Sequence, residues 1–132
     1  MVAIAIVVCA FSSCSPKVAF QGSSVDPGAR GTVKVTKDRN KNYEINVDLL
    51  DMSEPGRLQP AKGCYVVWMV SADNVTTNIG QVKSSSSMFS KALKGSFSTV
   101  SSTKPLRVFI TAEDQGNTQT PGSVMIMSTN SL

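Results

Sequence analysis

The stretch "TVKVTKDRNKNYEINVDLL", residues 32–50, restricts the fold more than any other part of the chain. Its apolar residues alternate: Val33 and Val35 in the first run, then Tyr43, Ile45, Val47 and Leu49 in the second. Lys34, Glu44, Asn46 and Asp48 fill the places between them. A period of two sends one set of side chains to a buried face and the other to water, which suits a half-buried antiparallel strand and not a helix. Two such runs around the polar loop "KDRNKN" (37–42) predict a β-hairpin.

The remaining chain repeats the theme. "KVAFQ" (17–21) is strand-like and is followed by the turn signal "DPG" (26–28), where Pro presets φ and Gly permits a positive one. "DMSEPGRLQPAKG" (51–63) holds two prolines and two glycines, so it predicts a long connection crossing between sheets. "CYVVWMV" (64–70) is apolar on both faces and predicts a central, covered strand. In it Trp68 reads as core, filling the space between two sheets, with Tyr65 and Met69 on the opposite face. "TTNIGQVK" (76–83) predicts a strand interrupted at Gly80. "SSSSMFSKALKGSFSTV" (84–100) admits one or two helical turns through Met88, Phe89, Ala92 and Leu93, or a flexible loop, before alternation returns with Phe97 and Val100 as burial candidates. "PLRVFITAE" (105–113) predicts a strand with Leu106, Val108 and Ile110 on one face and Arg107, Phe109 and Thr111 on the other, and "SVMIMS" (123–128) the last strand. About seven strands and almost no helix make one all-β domain, an antiparallel β-sandwich of immunoglobulin-like type. It occupies 27–132, with 14–26 as tether and first strand.

Chemistry is sparse. The 132 residues contain no His, which removes the commonest general base, the Ser-His and Cys-His nucleophile pairs and the usual zinc sites. Within the serine cluster "SMFSKALK" no Ser precedes a Lys by three residues, so the Ser-x-x-Lys arrangement is missing there. Asp48, Asp51 and Glu54 gather near one turn and Glu113 and Asp114 near another, without a calcium-loop run. The expectation is a protein that is not an enzyme, with no cofactor and no metal. The net charge of +4 is scattered apart from "KDRNK" (37–41), and no basic stripe with interleaved aromatics predicts a nucleic-acid partner. Binding falls to loops carried by a rigid sheet: Asp73 and Asn74 in "SADNVT" (71–76), and Glu113, Asp114 and Asn117 in "EDQGNTQTPG" (113–122), at one end of the sandwich.

The compartment is read from "VAIAIVVCAFSSC" (2–14). About ten apolar residues are too few for a helix to span a ~30 Å bilayer, and they suit the apolar region of a secretory signal. Ser12 and Ser13 then precede Cys14, and this resembles the lipobox of bacterial lipoproteins, with Phe11 where Leu is usual. The resemblance implies removal of a signal peptide, 1–13, and acylation of Cys14 with fatty chains such as palmitate. Cys9 follows the bulky Val7 and Val8 and fits less well. Ser15 after the cysteine favours the outer over the inner membrane under the enterobacterial sorting rule. With Cys14 acylated, Cys64 is expected to be a buried, inert thiol.

Two separated segments, "KGCYVVWMVSADNVTTNIGQV" (62–82) and "LRVFITAEDQGNTQTPGSVMI" (106–126), are similar to the C-terminal extracytoplasmic domain of anti-sigma-K factors. Tyr65 and Trp68 match that family's Tyr-x-x-Trp strand, Gly80 its next-strand glycine, and Thr111, Glu113, Gly116, Thr120 and Pro121 its closing segment in order. The resemblance implies a β-sandwich with a sensing or protein-contacting role. The family carries a cytoplasmic sigma-binding segment and a transmembrane helix ahead of this domain; here the lipobox-like segment takes that place. The expected function is a non-catalytic, lipid-anchored, extracytoplasmic lipoprotein of the bacterial envelope, contacting another envelope protein. The alternative is a cell-wall or carbohydrate-binding module built on loops 71–76 and 113–122.

Overall fold

The computed structural model describes residues 17–86 and 93–132. The strands are β1 Lys17–Ala19, β2 Arg30–Lys37, β3 Tyr43–Met52, β4 Cys64–Ser71, β5 Thr76–Gln81, β6 Lys83–Ser86, β7 Leu93–Ser101, β8 Pro105–Glu113 and β9 Met125–Ser128. They form two sheets, β1-β2-β3-β7-β6 and β5-β4-β8-β9, with every pairing antiparallel. The fold is an all-β sandwich.

The alternation sets the register. β2 and β3 pair with Val33 opposite Val47 and Val35 opposite Ile45, which brings the apolar residues of both strands to one face. A slip by one residue would turn that face to water. The core packs Val33, Ile45, Val47 and Leu49 of the first sheet against Tyr65, Val67, Met69, Val108, Ile110 and Ala112 of the second. The connection expected at 51–63 starts two residues later, because Asp51 and Met52 still belong to β3; 53–63 crosses between the sheets, with a short 3-10 turn at Pro55–Arg57.

Several expectations are corrected. Among the described residues nine strands replace the expected seven or so, partly because 76–83 is two strands in different sheets. The chain leaves the second sheet after Gln81 and joins the first at Lys83, and between them Val82 N–H donates to Tyr65 O. Gly80 makes the switch possible: it has φ +145°, and a Cβ there would lie 2.3 Å from the Phe97 ring. Phe97 packs partly against the core, but Val100 is 60% exposed. Residues three apart in a strand face opposite ways, so both could not be inward. Leu106, though in phase with Val108 and Ile110, is partly exposed at the start of β8, beside the register shift at Val70/Ser71. The sandwich also begins before residue 27: β1 pairs with β2, and Phe20, Ser23 and Asp26 are buried. Ser84–Ser86 and Leu93 lie in the β6–β7 strand pair, while Met88, Phe89 and Ala92 fall outside the described residues.

Trp68 is fully buried, yet it does not lie between the sheets. It belongs to a second cluster, with Cys64, Val66, Val70 and Phe109, on the outer face of the second sheet. Its ring stacks against Phe109 with centroids 6.2 Å apart.

Candidate functional site

The outer face of the second sheet is buried because the loop between β8 and β9 folds back across it. Asn78 of β5 pairs with Trp68 and shares its face. Its amide donates to the carbonyls of Gly116 (2.9 Å) and Thr118 (2.8 Å), while its own Oδ1 accepts the N–H of Gly80 (3.0 Å). At the loop's other end the Glu113 carboxylate accepts the Gly122 N–H at 2.9 Å and the Thr111 hydroxyl proton. The Thr111 oxygen in turn accepts the Trp68 indole N–H at 2.8 Å. A chain of hydrogen bonds thus runs from the indole through Thr111 and Glu113 to the loop backbone. Each buried polar atom on it is paired, which matters because an unpaired one would cost ~1–3 kcal/mol.

This arrangement decides what the loop residues can do. Glu113, expected to bind, is buried, and its carboxylate is committed to holding the loop. Asp114 and Asn117 are exposed, and with Glu113, Gln115 and Thr118 they line a shallow depression of about 310 Å³. Lys62 Nζ lies 3.8 Å from the Asp114 carboxylate. Beneath the rim, Cys64 is a free, buried thiol whose Sγ lies 3.6 Å from the Glu113 carbonyl. Burial first, then the nearby Glu113 and Asp114 charges, push that thiol above its ordinary value, so little reactive thiolate forms.

Asp73 and Asn74 stand elsewhere. Cys64 pairs with Glu113 and Ser71 with Pro105, so the β4–β5 turn and the β8–β9 loop lie at opposite ends of the sheet. Seven residue steps separate them, roughly 24 Å at the rise of an antiparallel strand. The expected single site is therefore two separate surfaces. Asn74 adopts φ +63° and closes its turn through its N–H to Ser71 O at 2.8 Å, a backbone role that Asn tolerates well.

Sequence reasoning missed Asn78, Gly122 and Asp26. The first two act on partners 38 and 9 positions away, and no local pattern marks such pairs. Asp26 was visible only as part of a turn. Its buried carboxylate accepts the Ser53 N–H and hydroxyl, both at 2.8 Å, while Tyr65 Oη donates to Ser53 O at 2.6 Å. Burial and the Asp26 charge raise the Tyr65 hydroxyl above its ordinary value. A Ser-x-x-Lys spacing outside the serine cluster also escaped notice, at Ser101 and Lys104. There the Ser101 hydroxyl bonds to Thr103 O at 2.9 Å and receives Thr103 N–H at 3.1 Å, so it shapes the turn before β8. Among the described residues no three His, Cys, Asp or Glu side chains come together as metal ligands. Cys14 lies outside the described residues. The chain significantly matches no protein-family model, no curated protein and no solved structure.

Proposed function

We propose that the chain is a non-catalytic envelope lipoprotein, acylated at Cys14, whose immunoglobulin-like sandwich binds or senses another envelope protein through the β8–β9 loop. The observation that carries this reading is the pinning of a polar loop from both sides. Asn78 holds Gly116 and Thr118, and Glu113 holds Gly122, while Asp114, Gln115 and Asn117 remain exposed between these anchors. A loop held in one conformation loses little further entropy on binding, which favours specific contact. The resemblance to the extracytoplasmic domain of anti-sigma-K factors agrees with a contacting role, and the lipobox-like Cys14 supplies an anchor where that family has a helix.

The carbohydrate alternative loses its aromatic platform, because Trp68 and Tyr65 are both buried. It would have to work through the polar rim alone. The test is photocrosslinking in cells from a probe at Gln115, beside one at Asp73. A protein adduct from Gln115 that disappears with Asp114→Ala/Asn117→Ala supports the reading. Protein adducts from neither position would sink it, and a glycan adduct from Gln115 would install the alternative.

A further inference from the structure

The two ends of the sandwich differ in how they hold charge. At the end carrying the 53–63 crossing and the β8–β9 loop, three cations are paired: Arg30 with Asp51 at 2.8 Å, Arg57 with Glu54 at 3.6 Å, and Lys62 with Asp114 at 3.8 Å, while Lys94, beside Leu93 opposite Met52, is exposed there without an ion-pair partner among the described residues. The opposite end gathers the β2–β3 hairpin tip, the β4–β5 turn and the β7–β8 turn. Tyr43 pairs there with both Lys37 and Ser101, and Ala72 N–H donates to Lys104 O. Lys37, Arg39, Lys41 and Lys104 are all exposed at this end, and none has an ion-pair partner among the described residues. Asp38 does not offset them fully. Its Oδ1 accepts the backbone N–H of Asn40 (2.8 Å) and Asn42 (2.9 Å), which turns the carboxylate into its own loop. Asp73 and Glu44 are the other carboxylates at this end, Glu44 one residue in from Tyr43 and accepting the Asn46 amide at 3.2 Å, and Val75 is 53% exposed near Asp73.

Chain direction adds a second observation. β1 is antiparallel to β2, so Lys17, opposite Lys34, is the residue of β1 nearest the cationic end. Cys14 is three residues further back, a reach of at most ~11 Å for extended chain. From the level of Lys34 to the hairpin tip at Lys37 is about 10 Å, and from Lys34 to Arg30 on the other side about 13 Å, before the crossing segment and loops beyond it are added. An acylated Cys14 can therefore meet a bilayer at the cationic end, and it cannot reach past the other.

We infer that the end formed by Lys37, Arg39, Lys41, Lys104 and Val75 docks on an anionic lipid headgroup surface, leaving the β8–β9 loop facing away from the membrane. This rests in part on the anchor reading, but the docking is separable from it. Unpaired cations at a negatively charged bilayer each strengthen binding about fivefold, and the attraction falls as salt shortens the Debye length.

The experiment uses the full chain carrying Cys14→Ser with vesicles of phosphatidylcholine, with and without phosphatidylglycerol. Two equal charge changes are compared: Lys37→Gln/Arg39→Gln/Lys104→Gln at one end, and Arg30→Gln/Arg57→Gln/Lys62→Gln at the other. The expected result is a loss of about a hundredfold in affinity for the anionic vesicles in the first triple. The second triple should stay within about threefold of the parent. Thermal melts confirm that both remain folded. Equal losses in the two triples would overturn the inference, because net charge alone would then explain binding. So would binding of dextran sulfate without binding of anionic vesicles. The mass of the N-terminal peptide from cell membranes tests the anchor independently. An unacylated Cys14 with an intact difference between the triples would remove the anchor and keep the docking surface.

Discussion

The sandwich has one end built by burial and another built by turns, and they answer to different physics. Toward the β8–β9 end, Asp26, Tyr65, Thr111 and Glu113 are buried groups whose hydrogen bonds tie loops to strands, and the indole of Trp68, midway along β4, joins them through Thr111. Removing any of them leaves a buried or half-buried partner without its bond. At the opposite end, Asp38 in the β2–β3 tip and Asn74 in the β4–β5 turn shape short exposed turns, and Lys37 lies with its Nζ 5.8 Å from the Tyr43 ring centroid. The difference teaches where stability and surface charge have been separated. The first end should tolerate few substitutions, and the second should tolerate many.

Predictions that stress this contrast run from large to small. Trp68→Ala should cost ~3–5 kcal/mol, as expected for deleting a fully buried aromatic, in urea unfolding. A loss below 1 kcal/mol would mean that the outer cluster is not a packed layer. Glu113→Ala should cost ~2–3 kcal/mol, since it orphans the Gly122 N–H and the Thr111 hydroxyl. It should also speed hydrogen exchange at Gly122 and neighbouring amides, while exchange around Asn74 stays unchanged.

Tyr65→Phe should cost about 1 kcal/mol near neutral pH by removing the bond to Ser53. Its alkaline behaviour follows from the direction of the shift. The native state holds the neutral phenol beyond the unfolded value of about 10, so the stabilising contribution is complete below pH ~10. It is lost as pH rises through the native value. The parent protein should therefore lose stability above pH 10 more steeply than Tyr65→Phe, and parallel curves would refute the shift.

At the other end, Asn74→Ala should cost about 1 kcal/mol for placing alanine at positive φ, and Asn74→Gly should be nearly neutral. A multi-kcal/mol loss there would dissolve the contrast between the ends.

How much of this was legible follows from where the information lies. Strands β2, β3, β4 and β8 were readable because alternation or a continuous apolar run is local and strong. Trp68 was read correctly as buried but assigned to the wrong layer. Both faces of "YVVWMV" are apolar, and periodicity cannot tell an inter-sheet face from one covered by a loop. The sheet switch after Gln81 was half-visible in Gly80, whose close approach to Phe97 is a contact across 17 positions. Asp114 and Asn117 are legible as loop residues, and only the structure places them at a depression, while in sequence Glu113 looks like its neighbour Asp114. Only the threefold convergence of Thr111, Glu113 and Gly122 separates a strut from a surface charge. The expectation of one site from two loops failed because strand direction, which the sequence does not state, puts 71–76 and 113–122 at opposite ends.

The inferred docking puts the Arg39 end against the membrane and the β8–β9 loop away from it. Nitroxide labels at Arg39→Cys and Gln115→Cys, in protein carrying the proposed acyl anchor at Cys14 and bound to phosphatidylglycerol-containing vesicles with a relaxation agent confined to the headgroups, separate the two orientations. The expected result is strong relaxation enhancement at position 39 and almost none at position 115, roughly 24 Å or more further out. Equal enhancement at both positions, or a stronger effect at 115, would contradict it.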